Sequence, residues 1–237
     1  MIDFYYAPTP NGWKVAIMLE ECGLDYRTVL LSLPTNGDQF AESFLAISPN
    51  ARIPAIVDHS TGIQPVTVFE SGAILLYLFE ATGLFVGEPS LRSKERNEWL
   101  FWQSANLGPM AGQLSHFVNY APERFDYALN RYRGEYERCI RVLETRLSRG
   151  DYILGEYSIA DMMTFPWIFI AKSLGIDLAA FPAVAAWRTK IKSRPAVRRA
   201  VDLLKEAQFT KTVNASTHPH LFNQTAQHLA PRSTGRQ

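Results

Sequence analysis

Hydrophobic positions along this 237-residue chain follow two different periods, and the change from one to the other divides the sequence. Short β-branched and aromatic runs between turn residues are typical of strands. Four such runs occur early in the chain, at residues 2–6, 26–31, 54–58 and 65–69. Apolar residues at helical spacing run from Trp13 to Gly23, and again after Ser71. The predicted order is βαβ followed by ββα, with the first two strands parallel and the last two strands forming a hairpin.

Beyond Leu84 the strand pattern ends and longer helical periods take over. Helices are predicted over residues 92–117, 125–149, 159–174, 182–193 and 195–208. The fold class is therefore α/β plus all-α, with a first domain over residues 1–84 and a helical domain over 85–208. Apolar periodicity fails after that point, so residues 209–237 are expected to form a disordered tail.

The overall charge excludes some functional classes. Lys and Arg number 24 against 23 Asp and Glu, which gives a formal charge of +1 and no electrostatic reason to bind nucleic acid or an anionic membrane. The most apolar stretch, residues 162–171, has about half of the ~20 residues that a membrane helix needs. We therefore expect no nucleic-acid partner and no membrane partner.

Cysteine usage points to a reducing compartment. The chain has two cysteines, Cys22 and Cys139, which lie far apart with no other ligand at metal-binding spacing. We predict neither a metal site nor a disulfide framework. The first ten residues also lack the features of a signal peptide, so a cytoplasmic location is expected. Because no Cys-x-x-Cys motif occurs, a protein thiol nucleophile of the thioredoxin kind has no support.

Two helix starts carry candidate chemistry. Thr9 and Asn11 lie where the first strand meets the first helix, and Glu70 and Ser71 lie at the start of another helix. Helix N-termini offer unpaired N–H groups and a partial positive charge, which suit a thiolate or a carboxylate. The same residue types are also ordinary capping and turn residues. The residues alone leave both interpretations open.

A set of motifs together resembles the cytosolic glutathione transferases, and most closely their bacterial Nu class, which is related to the yeast Ure2-like proteins. The resemblance covers about residues 1–205. The motifs are Pro8-Thr9-Pro10-Asn11-Gly12, Ser48-Pro49-Asn50 running on through Arg52-Ile53-Pro54-Ala55 to Ser60, Phe69-Glu70-Ser71-Gly72-Ala73-Ile74-Leu75, Trp99-Leu100-Phe101-Trp102-Gln103 and Gly108-Pro109-Met110. The resemblance implies a thioredoxin-like first domain and the helical second domain of that family.

The resemblance also implies a role for each candidate in binding glutathione. Glu70 would pair with the ammonium of the γ-glutamyl end and Ser71 would hold its α-carboxylate. Ile53, before a Pro54 that the family has in cis, would pair with the cysteinyl residue. Gln39 would reach the glycine end. Thr9 and Asn11 would donate hydrogen bonds to the sulfur and lower its pKa.

Arg131 matches a position where the class places a basic residue near a second glutathione; the alternative is a solvated helix arginine. The resemblance implies two glutathione molecules per site, a homodimer, and reduction of a disulfide bond by thiol-disulfide exchange. Two alternatives remain: a conventional transferase that conjugates glutathione to an electrophile, and a non-catalytic glutathione-binding regulatory protein.

A separate motif has a structural interpretation. Ser158-Ile159-Ala160-Asp161 has the form of a capping box, in which Ser and Asp satisfy each other's backbone N–H at a helix start.

Overall fold

The fold is that of a mixed sheet followed by a helical region, as seen in a computed structural model that describes residues 1–33, 36–62, 64–87, 93–207, 218–222 and 224–229. The strands are β1 (Ile2–Tyr6), β2 (Tyr26–Leu30), β3 (Ala55–Asp58) and β4 (Val66–Phe69). The helices are α1 (Pro10–Cys22), α2 (Glu42–Leu45), α3 (Ser71–Thr82), α4 (Ser93–Trp102), α5 (Gly108–Asn119), α6 (Asp126–Leu147), α7 (Ile159–Phe169), α8 (Pro182–Lys192), α9 (Pro195–Asp202) and α10 (His218–Phe222).

The four strands form one sheet in the order β2-β1-β3-β4. β1 runs parallel to β2 and antiparallel to β3, and β3 pairs with β4 as an antiparallel hairpin. The predicted βαβ-ββα order and both pairings are confirmed. β1 and β3 are central and largely buried, whereas β2 and β4 lie at the edges and are partly exposed.

Helix α1 lies between the sheet and the helical region. Thr9 occupies its N-cap position, and Gly23 ends it with a φ of 61°. All eight residues from Gly12 to Leu19 are buried, and the helix packs against α3, α7 and α9. Over these eight residues the helix has no face open to solvent, so Lys14 is enclosed together with the apolar residues.

The first long helix of the second region is interrupted. Residues 92–117 were predicted as one helix, but a π-helical turn over Gln103–Leu107 separates α4 from α5. Pro109 follows this turn, lacks an N–H group and crowds the carbonyl of Ala105 four residues before it. The turn buries Gln103 completely. Further along, α7 ends at Phe169, and Ala171–Leu174 continue as a 3₁₀ turn where a longer helix was predicted.

Ion pairs and hydrogen bonds join the two regions at α1 and β1. Arg194 binds the Glu21 carboxylate through two nitrogens, at 2.5 and 2.9 Å, and its guanidinium lies over the Tyr157 ring. The Tyr6 hydroxyl donates to the Leu203 carbonyl at 3.1 Å. These contacts hold the helical region against the sheet. The proposed boundary at residue 84 itself stays a prediction, because residues 88–92 lie outside the described part of the chain.

Part of the tail has regular structure. Residues 209–217 and 230–237 lie outside the described residues, but α10 and a 3₁₀ turn over Ala226–Leu229 are helical. The sequence predicted disorder over residues 209–237, and for these two segments that prediction is wrong. The Phe222 ring meets the His116 ring edge-on and lies tilted against Tyr120, and the His228 ring lies tilted against Phe40, so both segments pack on other parts of the chain. Among the described helices, none has the length and apolar character needed to cross a membrane.

The capping box before α7 is present and is part of a larger buried network. Asp161 is fully buried and its carboxylate accepts from the Ser158 N–H at 3.0 Å. It also accepts from the Ile153 N–H at 3.1 Å and the Trp187 indole N–H at 2.8 Å. One carboxylate therefore satisfies donors from the loop before α7, the helix start and α8.

We expect Asp161→Ala to lower the free energy of unfolding by at least about 3 kcal/mol, because it leaves three buried donors without an acceptor. Urea denaturation measures this loss. Asp151→Ala is the matched control, since Asp151 makes an exposed ion pair with Lys190 and its removal costs about 1 kcal/mol or less. Equal stability of the two variants would contradict the structural role of Asp161.

Candidate functional site

A cavity of about 740 Å³ lies where the start of α1 meets the helical region. Its lining includes six of the seven predicted site residues: Thr9, Asn11, Gln39, Ile53, Glu70 and Ser71. A smaller cavity of about 260 Å³ shares four of them. The structure thus brings together predicted residues from four separate stretches of the first region. The opposite wall comes from α5, α7 and the tail.

Thr9 caps α1 and keeps a donor available. Its Oγ1 accepts from the Gly12 N–H at 3.2 Å, which leaves the hydroxyl hydrogen able to donate elsewhere. The two interpretations of Thr9, as a cap and as a hydrogen-bond donor to a ligand, are therefore compatible. The turn is tight, because a Cβ on Gly12 would overlap the Ala7 carbonyl oxygen and lie 2.8 Å from the Tyr6 ring.

The side chain of Asn11 is oriented by the helical region. Trp167 on α7 donates its indole N–H to Asn11 Oδ1 at 3.2 Å. An indole nitrogen only donates, so it fixes Oδ1 on the tryptophan side and turns the Nδ2 amide group away. Asn11 thus presents a donor from the start of α1, where the helix dipole is positive.

The residue that caps the start of α3 is Glu70, and not Ser71. Glu70 is the N-cap of α3, with φ 68° and ψ 119°, and Ser71 is the first residue of the helix. A positive φ is unfavourable for a glutamate and places the residue in a constrained turn. Ser71 is buried. The turn holds the Glu70 carboxylate and the Ser71 hydroxyl side by side at one cavity.

Ile53 and Gln39 complete the part of the site that comes from the first region. The Ile53–Pro54 peptide bond is cis, as expected, and Ile53 precedes Ala55, where the pairing of β3 begins. Ile53 lines both cavities. Gln39 lies in a 3₁₀ turn over Asp38–Phe40 and is 2% exposed.

Arg131 is not brought to this site. It lies on α6, lines neither cavity, and pairs with Glu135 Oε1 at 2.6 Å. Glu135 also binds Arg138, and the Glu135 pKa is lowered by the hydrogen bonds from Arg138 and Arg131. A carboxylate one helical turn away is a local partner for Arg131, which favours the alternative of a helix arginine on the surface.

The sequence analysis did not assign Lys14 and Gln103 to the site, although both are buried and line the cavity. Lys14 on α1 is 3% exposed and donates to Gln103 Oε1 at 3.0 Å and to Ser71 Oγ at 3.4 Å. Burial lowers the pKa of Lys14 to about 7, and Glu70 opposes that shift. The sequence feature that could have indicated Lys14 is its position among the apolar residues of α1, one turn after Asn11.

The tail contributes a further wall that the sequence analysis also missed. Leu221, Phe222 and Gln224 line the cavity together with His116 and Tyr120 of the α5 end. Apolar and aromatic groups thus face the polar side of the cavity that Glu70 and Ser71 form. A five-residue helix has too few positions to show a hydrophobic period.

The cysteines and the tyrosines of β1 lie away from this chemistry. Burial raises the pKa of both Cys22 and Cys139, and neither lines the cavity. Tyr6 is fully buried and Tyr5 packs on Phe44. Among the described residues, no group of three or more His, Cys, Asp or Glu side chains is arranged to hold a metal ion.

Comparison with known proteins agrees with this architecture. The glutathione S-transferase N-terminal domain family matches residues 9–81, and the glutathione S-transferase C-terminal domain family matches residues 126–190. The chain belongs to the glutathione S-transferase family.

Three relatives are close enough to be informative. Disulfide-bond oxidoreductase YfcG of Escherichia coli is 50% identical over 204 residues, which cover 85% of this chain and 94% of that protein. Disulfide-bond oxidoreductase YghU of the same organism is 38% identical, covering 84% and 73%. A glutathione transferase family member from Pseudomonas fluorescens, solved with two glutathione bound, has a TM-score of 0.78 and 41% identity, covering 84% and 92%.

Substitutions of two glycines, one at the crowded start of α1 and one on α6, should change the free energy of unfolding in opposite directions. Gly12→Ala should lower the free energy of unfolding by about 1–3 kcal/mol, because the new methyl group meets backbone at Ala7. Gly134→Ala is the matched control, since Gly134 lies within α6 with nothing within 4 Å of the new group. It should raise stability by about 0.5–1 kcal/mol. Chemical denaturation measures both; stabilisation by Gly12→Ala would contradict the close approach at the turn.

Proposed function

We propose that this protein is a glutathione-dependent disulfide-bond reductase of the Nu class. The observation that carries the proposal is a cavity that gathers hydrogen-bond donors at the start of α1 and includes neither of the two cysteines. The reacting sulfur must then come from the ligand. The relatives named disulfide-bond oxidoreductases, and the structure with two glutathione bound, support this choice of chemistry.

Thr9 and Asn11 are the proposed catalytic residues. The Thr9 hydroxyl and the Asn11 amide group donate hydrogen bonds to the sulfur of glutathione, and the positive end of α1 points the same way. All three interactions favour the thiolate over the thiol, so they lower the thiol pKa.

The reaction that follows balances without any protein thiol. The glutathione thiolate attacks one sulfur of a disulfide; an S–S bond forms to glutathione, the substrate S–S bond breaks, and the leaving thiolate takes up a proton. A second glutathione thiolate attacks the glutathione sulfur of the mixed disulfide. The products are oxidised glutathione and two substrate thiols, and glutathione supplies both electrons.

The remaining residues bind the rest of glutathione in this proposal. Glu70 pairs with the ligand ammonium, and Ser71 binds the α-carboxylate with its hydroxyl and N–H groups. Ile53 pairs with the cysteinyl backbone as an added strand would. Gln39 contacts the glycine end. Contact of Arg131 with a second glutathione stays a prediction and requires that Arg131 leave Glu135.

The proposal includes a cytoplasmic homodimer. Both cysteines are free, which suits a reducing compartment. Phe101 on α4 is 69% exposed and Phe69 at the edge of the sheet is 39% exposed, so apolar surface is available for a second copy. Light scattering after size exclusion tests the dimer, and a mass of one chain would contradict it.

The first test is an assay of the purified protein with reduced glutathione and a small disulfide such as hydroxyethyl disulfide, run beside conjugation of an aryl halide. Disulfide reduction with weak conjugation supports the proposal. The opposite pattern makes the protein a conjugating transferase. Binding of glutathione with neither activity makes it a regulatory protein.

Two substitutions should separate activation from binding. Thr9→Ala should lower kcat for disulfide reduction roughly 10- to 150-fold, the effect of one hydrogen bond to a charged group, with a small change in KM for glutathione. Ser71→Ala should mainly raise that KM. Thr9→Ser is the matched control because it keeps both the cap and the donor. Equal changes in kcat and KM for both alanine variants would contradict this division of roles.

Trp167 is a positioning residue for Asn11. Trp167→Phe removes the indole N–H and keeps the ring, so kcat for disulfide reduction should fall roughly 2- to 10-fold while the free energy of unfolding changes little. Trp99→Phe, on α4 and away from the cavity, is the control and should leave kcat unchanged. An unchanged kcat in Trp167→Phe would show that Asn11 does not need this contact.

A further inference from the structure

Lys14 is a buried cation that faces the cavity. It is 3% exposed, and its Nζ has two neutral partners, Gln103 Oε1 and Ser71 Oγ. Within the described part of the chain, no carboxylate oxygen lies within 4.0 Å of this nitrogen. A buried ammonium without a nearby counter-ion is unfavourable, and its charge is stabilised by an anion that enters the cavity.

Besides Lys14, the titratable side chains that line the cavity are Arg52, Glu70, His116 and Tyr120. Helix α7 also contains the buried Asp161, whose carboxylate accepts from Ser158, Ile153 and Trp187. On the α3 side Glu70 raises the pKa of Lys14 through space, without contact. The π turn supplies the neutral Gln103, and Met163 and Trp167 of α7 are uncharged. At the other end of α1, Arg194 pairs with Glu21 and Arg199 pairs with Glu20, and Arg198 of α9 is exposed. Desolvation therefore dominates, and the pKa is about 7 in the unliganded protein.

The contact between Lys14 and Ser71 determines where the Ser71 hydroxyl hydrogen can point. An ammonium group only donates, so Ser71 Oγ must accept from Lys14, and the serine hydrogen must point to another acceptor. Ser71 lines the cavity and is the first residue of α3, whose first N–H groups have no partner within the helix. A carboxylate at this position would meet the serine O–H and N–H groups in front of the Lys14 charge.

We propose that Lys14 is a positioning residue for the α-carboxylate of glutathione: it orients the Ser71 hydroxyl toward that carboxylate and gains a proton when the carboxylate binds. The inference rests on the proposed function, because it assumes that glutathione occupies this cavity. It adds a coupling that the proposed function does not require, namely that glutathione binding takes up a proton at the γ-glutamyl end.

Titration calorimetry at pH 8 in phosphate and in Tris measures this proton directly, since the two buffers differ in their heat of ionisation. The ligand is S-methylglutathione, which has the same γ-glutamyl end and no thiol to ionise. The intact wild-type protein should take up roughly half a proton or more per ligand bound, because a group with pKa near 7 is mostly neutral at pH 8 before binding.

The matched variants are Lys14→Met and Lys172→Met, the latter an exposed lysine away from the cavity. Lys14→Met should abolish the uptake and weaken binding about 10-fold. Lys172→Met should behave as wild type. Any proton gained by the amine of the ligand is common to all three proteins and cancels in the comparison.

A second ligand keeps the test valid even where Lys14→Met fails to fold. S-methylated γ-aminobutyryl-cysteinylglycine lacks only the α-carboxylate, and wild type should bind it more weakly and without proton uptake. Equal heats in both buffers for S-methylglutathione, proton uptake in Lys14→Met as large as in wild type, or uptake as large with the ligand that lacks the carboxylate would each overturn the role of Lys14. Absence of S-methylglutathione binding to wild type would overturn the proposed function itself.

Discussion

The burial of the central eight residues of α1 is the constraint on which the rest of the structure depends. The apolar ones among these residues share a core cluster with β1 of the sheet, and the helix also packs against α3, α7 and α9. Because both regions pack on the same helix, the start of α1 lies at the junction between them. The cavity occupies that junction, so the positive end of the helix is available to a ligand.

Both ends of α1 are joined to the helical region, but by different interactions. At its C-terminal end Glu21, with a side chain 7% exposed, is neutralised by the two-nitrogen contact from Arg194. At the other end the contact is the weaker Trp167–Asn11 hydrogen bond. The strong interaction fixes the helix where no chemistry occurs. The weaker one orients the Asn11 side chain at the cavity.

The sequence predicted the elements whose pattern is local. All four strands are within one residue of their predicted bounds, and the six residues at the cavity were assigned through a recognisable set of motifs. Features that depend on tertiary packing were missed. The apolar pattern of α1 does not show that its lysine is enclosed, since only the packing of α7 and α9 covers that side. The π turn directly precedes Pro109, a residue that disfavours a continuous α-helix, and it has no hydrophobic period of its own.

In the function and the Lys14 role that we propose, two protonation events meet at this site, and they differ in sign. A glutathione thiol that becomes a thiolate beside Thr9 and Asn11 releases a proton, whereas a carboxylate that enters beside Lys14 favours proton uptake. Near neutral pH the two changes partly cancel, so the overall heat or pH change of glutathione binding does not report thiol ionisation alone. The two events lie at opposite ends of the γ-glutamyl-cysteinyl unit. The pH dependence of KM would therefore include Lys14, while that of kcat, measured in the bound state, would report the thiol.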